Sequence, residues 1–185
     1  LVDTVWGSYL DVSLNSRERI NPFDLPLALK DKDIRPWDLL REAIINLLGL
    51  MNLMLWKITS IEESIMEKAI ITTYNLKWIT LEDDDIVWKE IPTMMDLYSV
   101  LETMDWARDL CSRLEKYTTW IFSWLFSQST NISLKEWLQV FSVRDLDDIL
   151  RPTAMYVILN YIWNRVRSSN KKRILVIDEA WNIMQ

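Results

Sequence analysis

Two adjacent carboxylates, Asp178 and Glu179, follow four consecutive apolar residues, Ile174, Leu175, Val176 and Ile177, near the end of a 185-residue chain. An unbroken apolar run of this length suits a parallel strand buried on both faces. Charges are expensive to desolvate, so a buried strand does not normally end in two acids unless they have a task. In an open α/β sheet, ligands collect at the carboxyl ends of the strands, where both acids would stand. The chemistry open to such a pair is that of a Walker B strand. Asp178 holds a nucleotide-bound Mg2+ through water, and Glu179 orients or deprotonates the attacking water. By itself, the run with its two acids fits an ordinary strand end with solvated carboxylates equally well.

The elements that would position these acids precede them directly. Leu138-Gln139-Val140-Phe141-Ser142-Val143 is strand-like and ends at Arg144-Asp145. Pro152 suits a first helical turn and opens a helix over 152–167, with Met155, Ile158, Leu159, Ile162 and Val166 as its apolar stripe. Ser168 to Lys172 reads as the turn into strand 174–178. Such a strand–helix–strand unit is normally a right-handed parallel crossover, which predicts strand 174–178 beside strand 138–143.

Upstream, Tyr9-Leu10-Asp11-Val12-Ser13 alternates as a strand does, and Ile20 leads into Asn21-Pro22-Phe23-Asp24-Leu25-Pro26. Two closely spaced prolines exclude a central strand or helix there. This shaped loop is either a connector with Phe23 tucked into the core or a loop at the sheet rim beside a nucleotide. Residues 31–126 read as helical. Pro36 and Asp38 start a helix through Leu39, Ile44 and Leu47; Ser60-Ile61-Glu62-Glu63 reads as a capping box; Pro92-Thr93 caps a helix carrying Leu97 and Leu101. A further helix runs through Leu110, Leu114 and Tyr117, with Arg108, Arg113 and Lys116 as its solvated face. Glu82-Asp83-Asp84-Asp85 lacks the glycine of a Ca2+ loop and reads as a solvated turn.

The composition narrows the function classes. With no histidine, His-ligated metal sites and His-based catalytic triads are excluded, and the lone Cys111 excludes an intrachain disulfide framework. A net charge of −6 gives no basic surface for nucleic acid. The most apolar stretch, 43–55, is shorter than the ~20 residues that span a membrane and reads as a buried helix. The chain opens Leu1-Val2-Asp3 without a charged leader, as an excised internal fragment would. Glycine and tryptophan counts are abnormal: 2 glycines and 11 tryptophans, where usage near 7% predicts roughly 13 glycines. Several tryptophans, including Trp37, Trp78 and Trp120, stand where turn chemistry wants glycine. Two readings follow: many of these positions were glycine, which predicts φ > 0 there, or the core is tryptophan-rich.

The order of these elements resembles the conjugative-transfer ATPases of type IV secretion systems, members of the RecA-like P-loop motors. The resemblance rests on Ile20-Asn21-Pro22-Phe23-Asp24, a helical insertion, Val140-Phe141-Ser142-Val143-Arg144-Asp145-Leu146, a helix ending Tyr161-Ile162-Trp163-Asn164-Arg165, and Leu175-Val176-Ile177-Asp178-Glu179-Ala180-Trp181. It implies an α/β fold, a RecA-like parallel sheet portion with an all-helical inserted subdomain. The implied division is residues 1–35, a strand and the INPFD loop of the motor core; residues 36–130, the all-helical insertion; and residues 131–185, a strand–helix–strand of the core ending in Walker B. Asp178 then matches the family's Walker B aspartate, at the metal, and Glu179 its catalytic glutamate. The implied cofactors are ATP and Mg2+. The implied partners are secretion-channel subunits, further copies of the chain in a hexamer, and a transported DNA or protein. The implied location is cytoplasmic, peripheral at the inner membrane. No G-x-x-x-x-G-K-[ST] phosphate loop is present, since Gly7 and Gly49 each stand alone; it is expected upstream of Leu1 in the parent, and the 185 residues alone are expected to be inactive. Two other readings stand beside this one: a non-catalytic helical interaction module, and a DNA translocase of the same superfamily.

Overall fold

The structure, a computed structural model, describes residues 7–13, 16–25, 36–82, 89–119, 123–133, 137–167 and 172–178. Its elements are β1 (Ser8–Asp11), α1 (Pro36–Leu55), α2 (Ser60–Leu76), α3 (Met94–Glu102), α4 (Arg108–Thr118), α5 (Ser123–Phe126), β2 (Gln139–Ser142) and α6 (Arg151–Arg167). Most of the described chain is helical, and the described sheet has two parallel strands, β1 and β2. Ser8 stands opposite Gln139 and Asp11 opposite Ser142. The ladder extends by one bond at each end, Ser8 N–H to the Leu138 carbonyl at 3.0 Å and Val12 N–H to the Ser142 carbonyl at 2.8 Å.

The parallel crossover therefore exists, but between other strands than the sequence suggests. The connection that returns the chain in parallel is the whole helical segment between β1 and β2. Residues 172–177 form no regular structure, and Ile174 and Val176 are 92% and 84% exposed. The expected pairing of 174–178 with 138–143 is absent among the described residues. The physical reason is that an apolar run becomes a strand only when neighbours supply both its ladder bonds and cover for its two faces.

The helices form for local reasons. Thr59 is the N-cap of α2: its hydroxyl accepts from Glu62 N–H, while the Glu62 carboxylate accepts from Thr59 N–H at 2.7 Å. This capping box lies one residue before the expected Ser60–Glu63 box, because Thr59 holds the extended backbone (φ −74°, ψ 162°) that an N-cap needs. Thr93 and Asp96 repeat the device on α3, as Pro92-Thr93 suggests. The α1 face carrying Leu39, Leu40, Ala43, Ile44, Leu47, Leu50, Met51 and Met54 is buried, and Ile45 on the opposite face is exposed.

On α6 the buried side is turned from the expected stripe. Ala154, Val157, Ile158 and Tyr161 are buried, whereas Met155, Leu159, Ile162 and Val166 are only partly covered. Two neighbours select that face: the Tyr161 hydroxyl donates to the Ile132 carbonyl at 2.9 Å, and the Tyr156 hydroxyl donates to the Asn46 carbonyl of α1 at 3.0 Å. The buried apolar residues form one cluster running from Val12 and Phe23 through α1–α5 to Tyr161.

Candidate functional site

The Asn21–Asp24 loop follows β1 and is fixed residue by residue. Asn21 is buried, and each part of it is bonded. Its side-chain amide donates to the Pro92 carbonyl at 2.8 Å, its side-chain oxygen accepts from Phe23 N–H at 3.1 Å, and its backbone N–H donates to Thr130 Oγ1 at 2.6 Å. The bond to Phe23 N–H is the Asx turn that asparagine supplies before a proline-containing bend. Phe23 is fully buried, its ring 5.5 Å from that of Tyr74, and the Tyr74 hydroxyl donates to the Phe23 carbonyl at 2.8 Å. One loop thus ties β1, α2, the residue before the α3 cap and the segment after α5. Of the two readings the sequence leaves open for this loop, the described contacts are those of a connector seated in the core.

Asp24 is the ionisable member of this loop. Burial pushes its carboxyl above the usual aspartate range, opposed by a hydrogen bond from Thr130 and by the positive charge of Arg165. The Arg165 guanidinium lies 5.5 Å from the Tyr161 ring centre. Burial, followed by the nearby Asp24 charge, also raises the Tyr74 phenol well above its ordinary value. The bonds of Asn21, Phe23 and Tyr74 hold this loop to the body of the chain.

Asp178 lies in a turn at the end of the exposed 172–177 segment and is itself exposed. Glu179 lies outside the described residues, as do Asp83, Asp84 and Asp85 of the acidic run. Among the described residues no three acidic or thiol groups cluster as a metal cage would need. A nucleotide-bound Mg2+ asks for less, since it keeps several waters and takes only one or two carboxylates besides the phosphates. An exposed Asp178 carboxylate at the end of an apolar run fits that donor set.

Three features of the helical segment are not visible in the sequence pattern. Arg113 is no solvated side chain: it donates to Glu62 Oε1 at 2.8 Å, to Asp109 Oδ2 at 3.2 Å, and to the Leu55 and Trp56 carbonyls. It thereby supplies the positive charge that the last turn of α1 lacks. Gly49 is where α6 approaches α1, and a Cβ there would collide with the Tyr156 hydroxyl. Beyond Arg113, a cleft of about 440 Å3 opens between the end of α1, α4 and the start of α6, lined by Leu53, Trp56, Asp148, Ile149 and Pro152 among others. A charged residue at helical spacing reads as solvent-facing until the neighbouring helix is placed, so only the packing of α1 on α4 reveals the role of Arg113. No described helix is long and apolar enough to cross a membrane.

No family model matches this chain, and no curated protein does. Among solved structures it is similar to VirB4 of Thermoanaerobacter pseudethanolicus, with a TM-score of 0.83 at 23% identity, covering 98% of this chain and 70% of that one. At that identity the likeness is one of fold, and the arrangement of β1, the helical segment, β2 and α6 is that of a VirB4 structure.

Proposed function

We propose that this chain is part of an ATP-hydrolysing motor that energises type IV secretion or conjugative transfer, with Asp178 and Glu179 as its Walker B pair. The observation that supports this most is the fold likeness to VirB4 over 98% of the chain, taken with the order of the INPFD loop, the helical insertion and the Ile-Asp-Glu-Ala-Trp segment in the sequence. In this reading, residues 36–130 are an insertion in a motor core, and the parent assembles as a hexamer on a secretion channel to move DNA or protein. Asp178 would hold a nucleotide-bound Mg2+ through its water shell. Glu179 would accept a hydrogen bond from the attacking water and take its proton as the water oxygen bonds the terminal phosphorus of ATP, the bond from that phosphorus to the bridging oxygen breaks, and ADP leaves. The metal, when bound, offsets the charge that develops on the phosphate oxygens.

The test uses the full-length parent. Glu179→Gln keeps the side chain's shape but cannot take a proton, so ATP hydrolysis should fall roughly a hundredfold or more while ATP binding stays nearly intact. Asp178→Asn should instead weaken Mg2+-dependent binding, because an amide is a poorer partner for the hydrated metal. A fully active Glu179→Gln parent would remove Glu179 from the catalytic role, whereas an unsubstituted parent that hydrolyses no ATP would leave the non-catalytic helical module as the better reading.

A further inference from the structure

We infer that Trp56, Trp78 and Trp106 occupy positions built for glycine, and that glycine is the residue the organism's own ribosome places there. The backbone carries the argument. The non-glycine residues with positive φ are Trp56 (47°), Lys57 (61°), Trp78 (60°) and Trp106 (68°) among those described. Side chains other than glycine, and to a lesser degree asparagine and aspartate, are strained in this region.

Two of the three sites are turns whose hydrogen bonds demand that conformation. After α2, Ile79 N–H donates to the Tyr74 carbonyl at 3.0 Å and Trp78 N–H to the Asn75 carbonyl at 2.9 Å. That pair of bonds is a Schellman motif. It puts Trp78 at the left-handed position past the C-cap, and buries Ile79 as its apolar follower. After α3, Ala107 N–H donates to the Met104 carbonyl at 3.4 Å. Trp106 is then the third residue of a four-residue turn, and φ > 0 at that place is the mark of a type II turn and of glycine. Trp56 follows the last residue of α1 directly. Lys57 shares the left-handed region, so this turn keeps some strain whatever stands at 56.

The side chains point the same way. Trp56, Trp78 and Trp106 are 80%, 81% and 92% exposed, and Trp137 and Trp163 are exposed too. All five tryptophans whose side chains are described are exposed, which weighs against a tryptophan-rich core as the explanation of the composition. Tryptophan is normally among the most covered of side chains. An indole kept to bind a partner could sit on any helix or strand, yet these three stand where the backbone turns left-handed.

One triplet connects the two amino acids. UGA is read as tryptophan in some genetic codes and as glycine in others. A gene using it for glycine, translated with the tryptophan reading, would give both the surplus of one residue and the deficit of the other. On this inference the cleft bounded by Trp56 is wider in the cell than here, and the turns after α1, α2 and α3 carry no aromatic surface.

Three measurements and one control test it on the full chain. The triplets at positions 56, 78 and 106 should be UGA, and tryptic peptides of the protein isolated from its own cells should carry glycine there. The triple variant W56G/W78G/W106G should fold with an equilibrium constant raised roughly tenfold per site, the strain of a left-handed L-residue being about 1–2 kcal/mol and 1.4 kcal/mol being tenfold. W163G, in the regular helix α6, should lose stability. UGG triplets, tryptophan in the native peptides, or a triple variant that gains no stability would each overturn the inference.

Discussion

The two stretches of sequence with the most specific patterns, Asn21–Asp24 and Ile174–Asp178, have opposite fates in the structure. The first is seated in the core, with Phe23 at 0% exposure and Asn21 bonded through its backbone N–H, side-chain amide and side-chain oxygen. The second has no regular structure and its apolar side chains face solvent. Both are short, four and five residues. What separates them is where their partners reside. Asn21–Asp24 finds Tyr74, Pro92 and Thr130 within the chain. Ile174–Ile177 carries side chains for two covered faces, and finds no such cover among the described residues. A motif's chemical specificity and its structural self-sufficiency are separate properties, and only the second can be tested in the isolated chain.

Substitutions can break or sharpen this contrast. The largest effect should come from Phe23→Ala, which removes a fully buried ring from its contact with Tyr74 and should cost about 3–5 kcal/mol in denaturant-induced unfolding. A loss below roughly 1 kcal/mol would mean that the loop is not part of the core. Asn21→Ala should follow, at about 1–3 kcal/mol, because it strands the Pro92 carbonyl and the Phe23 N–H in a dry place. Asn21→Asp tests the geometry, since it keeps the acceptor toward Phe23 and loses the donor toward Pro92.

A smaller, pH-dependent effect belongs to Asp24. Its folded-state pKa is raised, so the folded chain binds that proton more tightly than the unfolded chain does. The resulting stability is fully present below the unfolded value of 3.8 and is lost as pH rises through the raised folded value. Asp24→Asn removes this dependence, so the variant and parent stability curves should diverge across that window and run parallel above it. Parallel curves throughout would show that Asp24 is solvated. The smallest effect is expected at Val176→Ala, within about 0.5 kcal/mol in this chain. A loss of several times that would place 174–177 in a packed environment and erase the contrast.

Much of the fold is legible in the residues. Pro36, Thr93 and Pro152 mark where α1, α3 and α6 begin, and Leu47, Leu97, Leu101 and Leu114 lie in the core as their spacing requires. The parallel sense of β2 is legible, but not its partner, because hydrophobic pattern selects strands and not their neighbours. The buried face of α6 is missed for a related reason: Tyr156 and Tyr161 look amphipathic in sequence, and only the carbonyls of Asn46 and Ile132 decide which way they turn. Of the candidate site, Asp178 ends an exposed segment without regular structure and not the expected strand, and Glu179 lies outside the described residues. The structural weight of Arg113 could not be read from one helix, since its acceptors come from α1, α2 and α4.

The β1–β2 ladder also governs how the chain can fold and vary. It joins Asp11 to Ser142, so its bonds close a loop that contains every helix from α1 to α5. Helices form from local contacts and a ladder between distant segments is slow, so the expected order of folding is the α1–α4 packing first and the sheet last. The entropy of closing that loop grows only with the logarithm of its length, so doubling the intervening segment would add about 0.6 kcal/mol. The helical segment can therefore gain or lose whole turns at its outer ends with little effect on the strands, provided that Asn21, Phe23 and Tyr74 still meet.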